Sequence, residues 1–253
     1  MNVEYAGQSD VGRKRGHNED SFLVLPEHNL FIVADGMGGH SSGEVASKMA
    51  VETVSQFFRE TSEDDDVTWP FKMERGISYD ENRLSTSIKL ANRRIHECQA
   101  ANPKQRGMGT TLVCAYFVQD SLLIGHVGDS RVYRLRSNVL TQLTEDHSLL
   151  NDYRKMKAMT DEEIANFPHK NVIVRALGMK DAVQVDVLQE DAQAGDIVLL
   201  CSDGLSGMIS DEDIARLLAA HRNDLAAGCQ ALIDAANEKG GHDNITCVVV
   251  RVL

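Results

Sequence analysis

The chain has 253 residues, 42% of them hydrophobic and 25% charged, which is ordinary for a soluble globular protein and long enough to bury a sizeable core. Its formal net charge of −12 argues against nucleic acid or an anionic membrane as a partner and leaves room for cationic ligands, metals included. No apolar run approaches the ~20 residues of a membrane span; the opening residues contain no signal-peptide stretch, and the five cysteines form no CxxC pair, so a reduced, cytoplasmic protein is expected. In chain order, FLVL at Phe22 and LFIVA at Leu30 read as strands. Ser41 and Glu44 then offer a capping box, and Val45, Met49, Thr53, Val54 and Phe57 continue with helical spacing. TSEDDDVTWP, from Thr61 to Pro70, reads as a solvated loop. A second helix is marked by Leu84, Ile88, Ala91 and Ile95. Three strands follow at Thr111, Leu122 and Arg131, then a polar segment and a strand at Asp196. Helices at Ile214–Leu218 and Leu225–Ala236 precede a last strand at Ile245. Helices that cluster rather than alternate with strands predict an α+β fold, in one domain spanning residues 1–253.

The stretch ADGMGGHSSGE, after the strand at Leu30, is rich in glycine and could belong to several chemistries. A phosphate-binding P-loop fails, because Glu44 occupies the lysine position and would repel phosphate. The dinucleotide pattern GxGxxG fits no register of these glycines. A nucleophile elbow matches literally at Gly39–Gly43, but Ser41 stands well beyond the end of the apolar run and is better read as a helix cap. No cysteine has arginine six positions later, which excludes a cysteine phosphatase. The aspartates remain. Asp35, Asp129, Asp203 and Asp243 each lie at the end of a different strand, two of them in a repeated DG. One such residue is an ordinary turn former. Several brought together by paired strands could not all stay ionised without cations, and their oxygens suit Mg²⁺ or Mn²⁺. RKRGHNEDS adds Arg15, suited to bidentate phosphate binding, with Glu19 and Asp20. Together these parts describe metal-assisted hydrolysis of a phosphate ester.

At this point the chain resembles the metal-dependent protein serine/threonine phosphatases of type 2C in their bacterial single-domain form. The matching pieces are RGHNED at Arg15, ADGMGGH at Ala34, GMGTTL at Gly107, VGDSR at Val127, LTEDHS at Leu143, NVIVRALG at Asn171, CSDGL at Cys201 and HDNIT at His242. They stand in the family's order and cover nearly the whole chain. The resemblance implies a central β-sandwich of two mostly antiparallel sheets with helices outside both. It implies Mn²⁺ or Mg²⁺ as cofactor, at least two ions per chain. Asp35, Asp203 and Asp243 would hold one ion, and Asp35, the Gly36 carbonyl and the Asp20 region the other. A water bridging them would attack phosphorus in line, Arg15 would grip the phosphate, and no covalent phosphoenzyme would form. Asp129 matches a position implied to hold a third, weaker ion, with Glu19 close to the metals. Some animal relatives place a general-acid histidine where this chain has Met37, which leaves His40 as a candidate acid. A flap is expected at about residues 146–170. Phosphorylated proteins are the implied substrates, plausibly a serine/threonine kinase and its targets, and a monomer is expected. A catalytically silent phosphoprotein-binding regulator and a serine hydrolase are the competing readings.

Overall fold

In strand β3 (Leu30–Met37), Leu30, Ile32 and Ala34 face one way and Phe31 and Val33 the other, and every one of them is buried. Strands buried on both faces read as continuous apolar runs rather than alternations. The computed structural model describes residues 1–38, 42–63, 68–157, 159–160, 163–164, 167 and 172–253. One sheet contains β3, β2 (Asp20–Leu25), β5 (Leu112–Val118), β6 (Ser121–Val127) and β9 (Asp186–Asp191) in the order β2-β3-β5-β6-β9. The two-residue β4 (Gly109–Thr110) pairs with the end of β3. The second sheet runs β1-β11-β10-β7-β8, from β1 (Val3–Asp10), β7 (Arg131–Arg136), β8 (Val139–Gln142), β10 (Ile197–Cys201) and β11 (Ile245–Val252). All the ladders are antiparallel.

Three apolar cores hold four layers together. Phe31, Val33, Val113, Ile124, Val198 and Val250 fill the space between the sheets. On the outer face of the β3 sheet, Ala50, Val54 and Phe58 of α1 (Ser42–Glu63) and Leu84, Ile88 and Ile95 of α2 (Tyr79–Ala101) cover Ile32, Leu112 and Cys114. On the outer face of the other sheet, Ile214 and Leu218 of α5 (Asp211–Ala220) and Leu225, Cys229 and Leu232 of α6 (Leu225–Glu238) cover Leu199, Cys201 and Val249. This is the expected α+β sandwich with helices on both sides.

All seven expected strands and the four expected helices are present. The sequence reading had no strand at β1, β4, β8 or β9, and no helix at α3 (Leu149–Met156) or at the single turn α4 (Asp203–Ser206). Asp35 is not quite terminal, since Gly36 and Met37 extend β3 by pairing with β4. Ser41, the expected helix cap, lies outside the described residues. A capping box does open α2, where Ser78 Oγ accepts from Glu81 N and Glu81 Oε2 accepts from Ser78 N. Trp69, in the loop between α1 and α2, sits edge-on to Phe57 at 5.5 Å and tilted against Tyr79 at 5.2 Å. Of the segment expected as a flap, α3 is capped by Ser148, whose Oγ accepts from Asn151 N. Much of the remainder, from residue 158 on, lies outside the described residues.

Candidate active site

Strand parity places the carboxylates. Phe31 and Val33 point between the sheets, and two residues further along β3 so does Asp35. Asp20 opens β2 directly opposite Asp35 in the ladder. Across the sandwich, Asp203 follows β10 by two residues and Asp243 precedes β11 by two, at the end where Cys201 pairs with Cys247. Asp129 follows β6. All five therefore meet at one open end of the sandwich. Arg15, Glu19, Asp35, Gly36, Asp203 and Asp243 line a cleft of about 210 Å³ there, and an adjoining hollow of about 360 Å³ shares Asp203 and Asp243 and adds Asp129.

The uncharged neighbours fix these groups. Ser202 Oγ accepts from Thr246 N at 3.0 Å and donates to Asp20 Oδ2 at 2.8 Å, joining the two sheets through one carboxylate. Thr111 Oγ1 accepts from Asp35 N at 3.0 Å and lies 2.6 Å from Ser130 Oγ, which ties β3 to the turn carrying Asp129. Asn244 accepts from Glu19 N and donates to the Val11 and His17 carbonyls, so it pins the loop that bears Arg15. Gly36 is required by close packing, for a Cβ there would stand 2.3 Å from the Gly43 carbonyl oxygen and 2.4 Å from that of Glu19.

Crowded carboxylates raise one another. Asp20 is pushed up to about 7, chiefly by burial; hydrogen bonds from Thr246 and Ser202 hold it back, and the charges of Asp203 and Asp243 add to the rise. Withdrawal from water, then Asp20, Asp203, Asp129 and Asp243, carry Asp35 well above the usual carboxylate range. Burial and Asp243 raise Asp203, while a hydrogen bond with Asp35 and the charges of Arg15 and Arg131 oppose them. Asp129 reaches about 7 through burial and the charges of Asp203 and Asp146, against Arg131. Asp20 Oδ1 and Asp129 Oδ1 are buried without a hydrogen-bond partner among the described residues. Unpaired oxygens in a cluster that cannot ionise fully are the chemistry of a hard divalent cation site. The cage itself is not assembled: among the described residues no three His, Cys, Asp or Glu side chains stand ready to hold an ion. Asp243 Oδ2 accepts from Arg15 Nη2 at 2.6 Å instead. The donor set fits the metal in kind, with Arg15 holding one of the expected ligands.

Of the residues expected from sequence, Arg15, Glu19, Asp20, Asp35, Gly36, Asp129, Asp203 and Asp243 do gather here. Glu19 is partly diverted, with Oε1 3.0 Å from His17 Nε2 and Oε2 packed over Gly43. His40, the candidate acid, lies outside the described residues. Ser202, Thr246, Thr111, Ser130 and Asn244 were missed, although four of them sit in the quoted motifs within three residues of a carboxylate.

A family model described as Protein phosphatase 2C matches residues 10–243. The chain is 38% identical, over 258 residues, to the serine/threonine phosphatase stp of Listeria monocytogenes serotype 4b (strain F2365), an alignment covering 99% of this chain and 96% of that one. The structure of the S. agalactiae serine/threonine phosphatase superposes with a TM-score of 0.86 at 35% identity, covering 100% of both chains. That of the catalytic domain of the serine/threonine protein phosphatase PstP in complex with 2 manganese ions superposes at 0.82 and 35% identity, covering 99% of this chain and 98% of that one.

Proposed function

The chain belongs to the protein phosphatase 2C family, and from that premise we propose how its acidic cleft removes phosphate from phosphoserine and phosphothreonine in proteins. It is a metal-dependent serine/threonine protein phosphatase, with manganese or magnesium as its cofactor. Asp35, Asp203 and Asp243, with the Gly36 carbonyl and Asp20, are the residues that hold the metal pair. Asp129 belongs to a third, weaker ion, and Glu19 supports the pair from the cleft wall. When bound, the ions supply a water acidic enough to attack at neutral pH and neutralise the phosphoryl oxygens.

The observation that carries this reading is the convergence of five carboxylates from both sheets, four of them raised by burial and by one another's charge. The chain's own groups do the positioning. Ser202 and Thr246 fix one oxygen of Asp20 and leave Oδ1 buried without a partner among the described residues. Thr111 orients Asp35 through its backbone N–H. Arg15, with about half of its side chain exposed on the rim, binds the phosphate of the substrate by passing its planar fork from Asp243 to the phosphoryl oxygens. Hydrolysis then proceeds without a covalent phosphoenzyme. His40 remains the candidate acid for the departing oxygen.

Among the described residues no helix is long and apolar enough to cross a membrane. We assign the protein to the cytoplasm as a single-domain monomer with a flap at about residues 146–170, acting on a serine/threonine kinase and that kinase's targets. The test is hydrolysis of a phosphothreonine peptide with Mn²⁺, before and after chelation. Full activity in excess EDTA after dialysis would overturn the metal-based reading.

A further inference from the structure

The turn that presents Asp129 is held from two sides. On one side Ser130 Oγ meets Thr111 Oγ1 at 2.6 Å. On the other, both main-chain polar groups of Gly128 are taken by a single residue, His147. Its Nδ1 accepts from Gly128 N at 3.0 Å, and its own backbone N donates to Gly128 O at 2.8 Å. Gly128 has φ +114, and a Cβ there would stand 2.6 Å from Thr111 Cβ, so the turn is built without slack.

The remote end of the same ring is fixed as well. His147 Nε2 lies 3.1 Å from Asp186 Oδ2, and Asp186 Oδ1 accepts from Arg175 Nη1 at 2.6 Å. Because Nδ1 accepts from a backbone N–H, the ring proton sits on Nε2 and is donated to Asp186. The ring is buried and stacks on His126 at 4.4 Å and 24°. Burial lowers both imidazoles, His126 to about 3, which keeps the stacked pair neutral and this tautomer in place. We infer that His147 is a positioning residue for catalysis: the Arg175–Asp186–His147 chain clamps the Gly128 turn and so sets where the Asp129 carboxylate stands relative to Asp203 and Asp35. This rests on the reading of Asp129 as part of the catalytic site. It adds a relay from β9 at the sheet edge to the cleft.

Two near-isosteric substitutions separate the two ends of the ring. Asn in His147→Asn can place Oδ1 where Nδ1 stands and keep the bond from Gly128. Gln in His147→Gln can reach Asp186 but gives Gly128 no acceptor. With a phosphothreonine peptide and Mn²⁺, His147→Gln is expected to lower kcat by roughly ten- to a hundredfold, as for other groups that orient a metal site's ligands, with KM unchanged. His147→Asn keeps the Gly128 bond but gives up the one to Asp186, so it is expected to lose clearly less than His147→Gln and about as much as Asp186→Ala. In an Asp129→Asn background His147→Gln should cost nothing further, and a calorimetric Mn²⁺ titration should show the tight sites intact in all of these proteins. Asp186→Ala, at the half-exposed end of the chain of bonds, removes the anchor without touching the core. It should lower kcat in the same direction, and it decides the matter should His147→Gln fail to fold. Equal losses in the Asn and Gln variants, losses that multiply with Asp129→Asn, or an unchanged kcat in Asp186→Ala would each overturn the clamp while leaving Asp129 in the site. A full rate in Asp129→Asn alone would overturn the reading of Asp129 itself, and the clamp with it.

Discussion

A carboxylate drawn out of water keeps its charge only beside a compensating cation, and Asp35 is drawn out of water with four other carboxylates close by. In the metal-free protein its charge is a cost, so Asp35→Asn should raise the thermal midpoint in EDTA while removing turnover. The loss in kcat should be at least roughly a hundredfold, the lower end for lost preorganised charge stabilisation. Calorimetric melting beside a phosphopeptide assay checks both, and a variant that is both active and less stable in EDTA would reassign the site. Arg15 is bonded to Asp243 across the rim of the cleft. Arg15→Ala should therefore raise KM for phosphopeptide more than Arg15→Lys does, because lysine keeps the charge but loses the fork. Equal, unchanged KM values would leave Arg15 as a surface ion-pair residue. Asp35 and Asp203 were legible in the sequence because Asp–Gly pairs at strand ends are conspicuous, and Asp129 and Asp243 because they too stand at strand ends. Ser202, Thr246 and Thr111 were not, since a hydroxyl beside a strand has many ordinary uses. Gly36 was expected as a carbonyl ligand implied by the resemblance, and its missing Cβ, which makes room for Gly43 and Glu19, was not foreseen.

The joint between β3 and α1 is where one element sets another's function. Gly36 and Gly43 approach so closely that the carbonyl oxygen of Gly43 occupies the space of a side chain. Gly36→Ala must push β3 away from α1 or from the loop carrying Glu19, and overpacking of this kind costs about 1–3 kcal/mol. Since Asp35 is the adjacent residue, activity should fall further than stability alone explains. Denaturant melts compared with kcat at a temperature where the variant is fully folded will show whether it does, and a loss of stability with kcat intact would separate the packing from the site. Elements buried on both faces, such as β3, β5 and β10, were plain in the sequence as apolar runs. β1 and β9 were not: they lie on sheet edges, and VEYAGQSD and DVLQED carry exposed polar residues through the ladder. α3 does space Leu149, Tyr153 and Met156 along one face, but the run is short and no residue of it is buried, so it stood out little from the polar segment around it.

For the molecule as a whole, the cluster makes metal and proton compete for one site, and that competition has a sign. In the unfolded chain the aspartates ionise near pH 4. In the metal-free fold Asp20 and Asp129 ionise near 7, and Asp35 and Asp203 are shifted the same way. The fold thus retains protons that the unfolded chain has released; this contribution is complete below the unfolded value and is lost as pH rises through the folded one. His126, lowered to about 3, and His147, also lowered, act in the other direction. Unfolded, they take up protons below about pH 6.5, so they cost stability as pH falls through that value and add no slope above it. Between pH 6.5 and 8 the aspartates therefore act without opposition from these histidines. In EDTA the stability should fall across this range, by up to about 1.4 kcal/mol per pH unit for each proton involved. Mn²⁺ needs the same carboxylates ionised, so the stabilisation it confers should grow with pH over the same range. At a free concentration about a hundredfold above Kd it should reach about 2.7 kcal/mol per site. Thermal melts with EDTA and with Mn²⁺ at both ends of the range measure the two slopes. Asp129→Asn should flatten the EDTA slope, because it removes one of the titrating groups. A chelated protein that gains stability toward pH 8, or a metal-induced gain that shrinks as pH rises, would mean that these carboxylates are not the ones the metal binds.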